Sequence, residues 1–126
     1  MPPWPPNWVV THSEPFHFME FRHGPKSMVT PRTLVIGLRS TSNASHEAAV
    51  LEDVKALGGR VLDIAEAGSD ARPRGADRIV RFASGLDEAV RNVLYLPVGQ
   101  LIAFERSLSK GLNPDRPTNL DSVVKL

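Results

Sequence analysis

The run Thr33-Leu34-Val35-Ile36-Gly37-Leu38 constrains the fold more than any other stretch of the chain. A strand with water on one face alternates apolar and polar residues, whereas this run is almost uniformly apolar, the pattern of a strand covered on both faces. A helix-forming stretch comes next: Ser45 is placed to cap it, and Ala49, Val50, Val54 and Leu57 fall on one side of it. Gly58-Gly59 should end that helix, because glycine enters the left-handed conformation at little cost. Two further strand patterns follow, Arg60 to Ala65 and Arg78 to Phe82, with a Gly/Pro-containing loop from Glu66 to Ala76 between them. Apolar strands alternating with helices predict a mostly parallel sheet with helices on both faces, a three-layer α/β/α fold.

The flanking segments are less regular. Pro2, Pro3, Pro5 and Pro6 alternate with Trp4 and Trp8, so residues 1–10 read as an irregular leader that suits neither a helix nor a central strand. Trp8 to Thr11 is a short strand candidate. Phe16 to Arg22 reads as a short helix ending at Gly24-Pro25. The longest predicted helix runs from about Asp87 to Leu108, with Val90, Val93, Leu94, Leu101, Phe104 and Leu108 as its buried stripe and a kink at Pro97. From Gly111 onward, Pro114 and Pro117 predict an irregular tail.

Bulk properties narrow the function classes. A chain of 126 residues with 41% hydrophobic content fits one domain with a core. Its 15 basic and 14 acidic residues give no field to draw in nucleic acid or an anionic membrane. The absence of cysteine rules out disulfides, thiolate metal sites and a cysteine nucleophile. No apolar run approaches the roughly 18 residues of a membrane span, and no signal-peptide pattern opens the chain. A cytoplasmic location is expected. His12 and His17 lie near Glu14, but a metal site needs three or four converging ligands, so no metal and no cofactor is expected.

Several motifs together carry a resemblance: Glu20-Phe21-Arg22-His23-Gly24-Pro25, the strand Leu34-Val35-Ile36, the helix end Ala56-Leu57-Gly58-Gly59, Pro97-Val98-Gly99-Gln100-Leu101, and Lys110-Gly111-Leu112-Asn113-Pro114-Asp115-Arg116-Pro117. Residues 11–126 resemble the second half of a sugar isomerase (SIS) domain, in the branch that includes the isomerase module of glucosamine-6-phosphate synthase. The resemblance implies a flavodoxin-like, doubly wound sheet, here incomplete. It also implies that the family's first strand and its glycine-rich turn would lie ahead of residue 11.

What the family does bears on particular residues. The resemblance implies that His23 takes part in opening a sugar ring, in the active site of a neighbouring subunit, a task suited to an imidazole side chain; bonding a carbonyl at the helix end beside Gly24-Pro25 is the alternative. Glu20 would orient it; a plain surface carboxylate is the alternative. Arg22 and Lys26 are candidate phosphate contacts or simply exposed cations. The loop Arg39-Ser40-Thr41-Ser42-Asn43-Ala44-Ser45 has hydroxyls ahead of a helix, so Ser40, Ser42 and Ser45 are candidate anion ligands, with a plain polar turn as the alternative. The tail residues Asn113, Asp115, Arg116 and Asn119 offer turn chemistry. Two groups that relatives use are missing: a glutamate on a preceding helix, and a tail lysine whose position falls at Ser122, with Lys125 displaced. The chain is therefore expected to bind a phosphosugar such as fructose 6-phosphate and to form homo-oligomers. Alone it should not turn the sugar over, and a non-catalytic regulatory or dimerising role is the alternative.

Overall fold

A computed structural model describes residues 13–68 and 71–116. The leader, the Trp8–Thr11 strand candidate, His12, Asn119, Ser122 and Lys125 lie outside the described residues. The backbone forms two compact units, the first of which is Pro15–Tyr95 and holds the sheet. Its elements are α1 (Phe18–His23), a 3-10 turn (Pro25–Met28), β1 (Leu34–Leu38), α2 (Ala44–Ala56), β2 (Arg60–Glu66), β3 (Arg78–Phe82) and α3 (Glu88–Arg91). A second 3-10 turn, Asn92–Leu94, leads into α4 (Tyr95–Ser109).

The three strands lie side by side in the order β1-β2-β3, and both pairings are parallel. Parallel neighbours need a crossover; α2 supplies the one between β1 and β2. Helices pack around the sheet, giving the expected small α/β fold. β2 sits in the middle and is the most buried strand. On one face, Leu51 and Val54 of α2 meet Val61, with Phe18, Phe21, Val29, Val35 and Ala76 packed around them. Gly37 makes this contact possible, since a Cβ there would lie 2.7 Å from Leu51 Cδ1. Near the end of the other face, buried Tyr95 sets its ring 6.0 Å from that of Phe82 and donates a 2.9 Å hydrogen bond to the Arg39 carbonyl.

Three features differ from the sequence reading. First, α2 begins at Ala44 with Asn43 at its N-cap position, so Ser45 lies inside the first turn and does not cap. The turn is held instead by Ser40, whose N–H and hydroxyl donate to Glu47 at 2.7 and 2.9 Å, while its Oγ accepts from Asn43 N–H. The buried side of α2 is accordingly Glu47, Ala48, Val50, Leu51 and Val54, and Leu57 is exposed. The other end follows the expectation: Gly58 has φ +87°, and the Gly58 and Gly59 N–H groups donate to the Lys55 and Val54 carbonyls, a Schellman ending.

Second, Leu34, Ile36 and Leu38 on one side of β1 remain 38% to 52% exposed. The apolar run reports what the strand is able to bury, not that a partner covers it. Third, the break in the long helix comes earlier than Pro97, as the 3-10 turn Asn92–Leu94. Proline has no N–H to offer the carbonyl four residues back, at Val93, so the turn ahead of it tightens.

In the second unit, described over residues 96–116 beside 13–14, α4 ends at Ser109 and the chain turns through Gly111, which has φ +69°. The tail then folds back through Asn113, whose Oδ1 accepts from Asp115 N–H and whose carbonyl accepts from Arg116 N–H. The expected stripe is present at helical spacing, but Leu101, Phe104 and Leu108 are exposed, as are Val90 and Val93 before it.

Candidate functional site

The first cluster of candidates sits on α1. His17 starts this helix by accepting the Met19 N–H on Nδ1 at 3.4 Å, and Gly24-Pro25 ends it. Phe18 and Phe21, three residues apart, turn onto the Leu51–Val54–Val61 cluster. With one side so committed, helical geometry puts Glu20 and His23, also three apart, on the opposite side, and both are exposed. Arg22 falls toward the inner side, where its Nε pairs with Asp53 Oδ2 of α2 at 3.2 Å, and Lys26 Nζ approaches the same oxygen at 3.6 Å. The two cations and the imidazole therefore occupy different sides of one short hairpin. A cleft of about 240 Å³ beside them is lined by His17, Phe18, Met19, Asn43, His46 and Glu47. Among the described residues, no group of three or more His, Asp or Glu side chains is arranged to hold a metal ion.

The second cluster lies at the carboxyl end of the sheet, where open α/β folds place their ligands. Ser40 and Ser42 are both engaged within the chain. Ser40 is tied to Glu47, as above. The Thr41 and Ser42 N–H groups donate to Glu88 Oε2 at 2.9 and 3.1 Å, and the Ser42 hydroxyl donates to Glu88 Oε1 at 3.1 Å. These bonds, with the Ser42 N–H leading, hold the Glu88 carboxyl below its ordinary pKa. Ser45 is exposed on the first turn of α2.

Glu66, at the end of β2, does the same for the loop after β3. Its carboxylate accepts from the Ser84 N–H and hydroxyl and from the Gly85 N–H, at 2.7 to 3.0 Å. Burial pushes this carboxyl up, but those donors outweigh it and its pKa lies below the usual range. Arg91 of α3, almost wholly buried, spans the two loops. Its Nη2 donates to Thr41 Oγ1 at 2.7 Å, and its Nε lies 3.9 Å from Glu66 with no hydrogen-bond partner.

Beneath these loops Asp63 is fully buried between two guanidiniums. Arg39 reaches it with Nε and, at 3.0 Å, with Nη2; Arg81 Nη2 reaches it at 2.6 Å. Arg39 is itself fully buried. The sequence reading passed over Asp63, Glu66, Arg81, Glu88 and Arg91. One signal was available: Asp63 lies inside an apolar strand, and a charge there must be paired.

A scan against protein-family models finds no match. Among curated proteins, the chain is 34% identical over 120 residues to the glutamine–fructose-6-phosphate aminotransferase (isomerizing) of Leifsonia xyli, a match covering 90% of the chain and 19% of that protein. It is 37% identical over 113 residues to the enzyme of that name from Streptococcus pyogenes, covering 88% of the chain and 18% of the relative. The corresponding protein of Methanothermobacter thermautotrophicus is 26% identical over 115 residues, with 90% and 19% covered. The chain thus spans about a fifth of the length of the curated relatives it matches. Over some nine-tenths of its length, the chain is homologous to the C-terminal sugar isomerase region of the glutamine–fructose-6-phosphate aminotransferases.

Proposed function

We propose that the chain is a phosphosugar-binding fragment of a sugar isomerase, in which Glu20 and His23 form the part of the site that faces the sugar. The supporting observation is their placement: they are exposed side by side on α1 while their cationic neighbours Arg22 and Lys26 are drawn off toward Asp53. A protonated His23 would give its proton to the ring oxygen of a cyclic ketose 6-phosphate as the bond from that oxygen to the anomeric carbon breaks. The anomeric hydroxyl loses its proton to water and becomes the carbonyl, so the step balances. Glu20, three residues before it on the same side of α1, would orient the imidazole. Fructose 6-phosphate, named in the relatives' activity, is the first ligand to try.

On this reading the isolated chain binds but does not turn over, because a serine at position 122 cannot protonate an oxygen as an ammonium can. Calorimetric titration with a panel of hexose 6-phosphates tests the binding, and saturable heat with one of them is the expected result. Failure of every member of the panel sinks the proposal. Turnover by the pure chain, abolished in His23→Ala, sinks the inactivity. Because His23 is exposed, that variant should stay within about 0.5 kcal/mol of the parent in stability. A second reading, a dimerising module, is favoured by the exposed apolar residues of β1 and α4, and light scattering on the same samples reads it directly.

A further inference from the structure

We propose that the β1–α2 loop is a phosphoryl-binding site that the chain keeps closed with its own Glu88 carboxylate. The geometry is that of an anion in its cradle. Two successive backbone N–H groups, of Thr41 and Ser42, and the Ser42 hydroxyl converge on one carboxylate at 2.9 to 3.1 Å, directly ahead of the thirteen-residue helix α2. The anion is supplied from far along the sequence, by the first turn of α3.

Arg91 marks the site independently. Its side chain is 4% exposed and reaches Thr41 Oγ1 with Nη2, yet its buried Nε has no hydrogen-bond partner. A buried guanidinium with an unused donor beside an amide cradle lacks an acceptor, and 3.9 Å to Glu66 does not provide one. A carboxylate offers two oxygens, both already used by the loop. A phosphoryl group offers three in a tetrahedral array, enough for the two amides, the hydroxyl and the Arg91 Nε–H, the one guanidinium nitrogen left unused once Nη2 is on Thr41 and Nη1 on the Leu86 carbonyl. Ser40 does not compete, since Glu47 holds both its N–H and its hydroxyl.

The site therefore takes a phosphoryl oxyanion, free or carried on a small molecule, when Glu88 leaves the loop. This assignment does not depend on α1 or His23. The experiment compares wild type with Glu88→Ala and Glu88→Gln, titrating each with inorganic phosphate and, separately, with fructose 6-phosphate. Calorimetry and the Thr41 and Ser42 amide NMR signals provide the readouts. Each charge-assisted bond regained by the ligand corresponds to about a tenfold change, so Glu88→Ala should bind inorganic phosphate about tenfold tighter than wild type or better, with both amide signals moving. Equal gains for the two ligands assign the site to the phosphoryl group alone; a larger gain for the sugar phosphate makes that the source. Folded variants that gain no affinity for either ligand overturn the proposal. So does unfolding of both variants, which would make Glu88 a structural tie.

Discussion

Removing the Asp63 carboxylate should be the most damaging single change to the sheet. Asp63 is fully buried in the central strand and accepts three charge-assisted bonds, two from Arg39 and one from Arg81. Asp63→Ala deletes the only anion bonded to Arg39 among the described residues, and Arg39 is fully buried. Breaking a buried ion pair from one side costs about 3–5 kcal/mol, because the surviving charge stays desolvated without a partner. That is a large share of the roughly 5–15 kcal/mol that keeps a domain folded. For a chain of this size it corresponds to a fall in melting temperature of about 10–20 °C. Thermal denaturation followed by circular dichroism measures it, with Glu52→Ala as the control. Glu52 pairs with Arg74, which is 89% exposed, so solvent already screens that contact and its loss should barely move the melt. Replacing Arg39, Asp63 and Arg81 together by apolar residues of similar length should recover much of the loss, since no charge is then stranded. A drop of less than about 3 °C in Asp63→Ala would refute the reasoning.

Two other perturbations probe different physics. A Cβ on Gly59 would lie 2.7 Å from Val29 Cγ1, 2.8 Å from Val54 Cγ1 and 3.2 Å from the Val54 carbonyl, so Gly59→Ala should destabilise by about 1–3 kcal/mol through overpacking. Gly58→Ala meets only ordinary contacts and should cost about 1 kcal/mol, from its φ of +87° alone; urea midpoints will order the pair. The pH dependence has a definite sign. Glu66 and Glu88 titrate below their ordinary values, as does Asp77, held down by the Lys55 ammonium and the Val61 N–H. Their contribution is complete above the unfolded values near 4 and is lost as pH falls through the lower folded ones. The melting temperature should therefore hold steady from pH 7 to about 5 and fall below that, and a protein equally stable at pH 3 would contradict these assignments.

Much of the fold was legible because it rests on local rules. The cores of all three strands are short apolar runs, and Gly58-Gly59 states the end of α2 in the only residue that takes its turn cheaply. The α1 helix could be read from Phe18 and Phe21 at helical spacing. The second cluster was not legible, since it depends on register. Arg39 meets Asp63 only because β1 and β2 pair with Gly37 opposite Asp63, and Glu88 meets Thr41 only because α3 returns over β1's end. Nothing in the local sequence of Thr41-Ser42 says that a glutamate far downstream fills the loop. Burial of the apolar stripes was likewise beyond reach, because periodicity describes one surface and says nothing of the surface opposite.

The all-parallel sheet also sets the order in which this chain can acquire its shape. Every rung between β1 and β2 joins residues separated by the whole of α2, and every rung between β2 and β3 waits for the loop that follows Glu66. No hairpin exists among these strands to nucleate quickly, so refolding should be slow beside that of a helical bundle of equal size. During that interval Val61 and Ile64, sealed in the finished molecule, stand open to other chains. Dilute, cool refolding therefore suits this chain, and a newly made copy is most vulnerable to clumping before its third strand arrives.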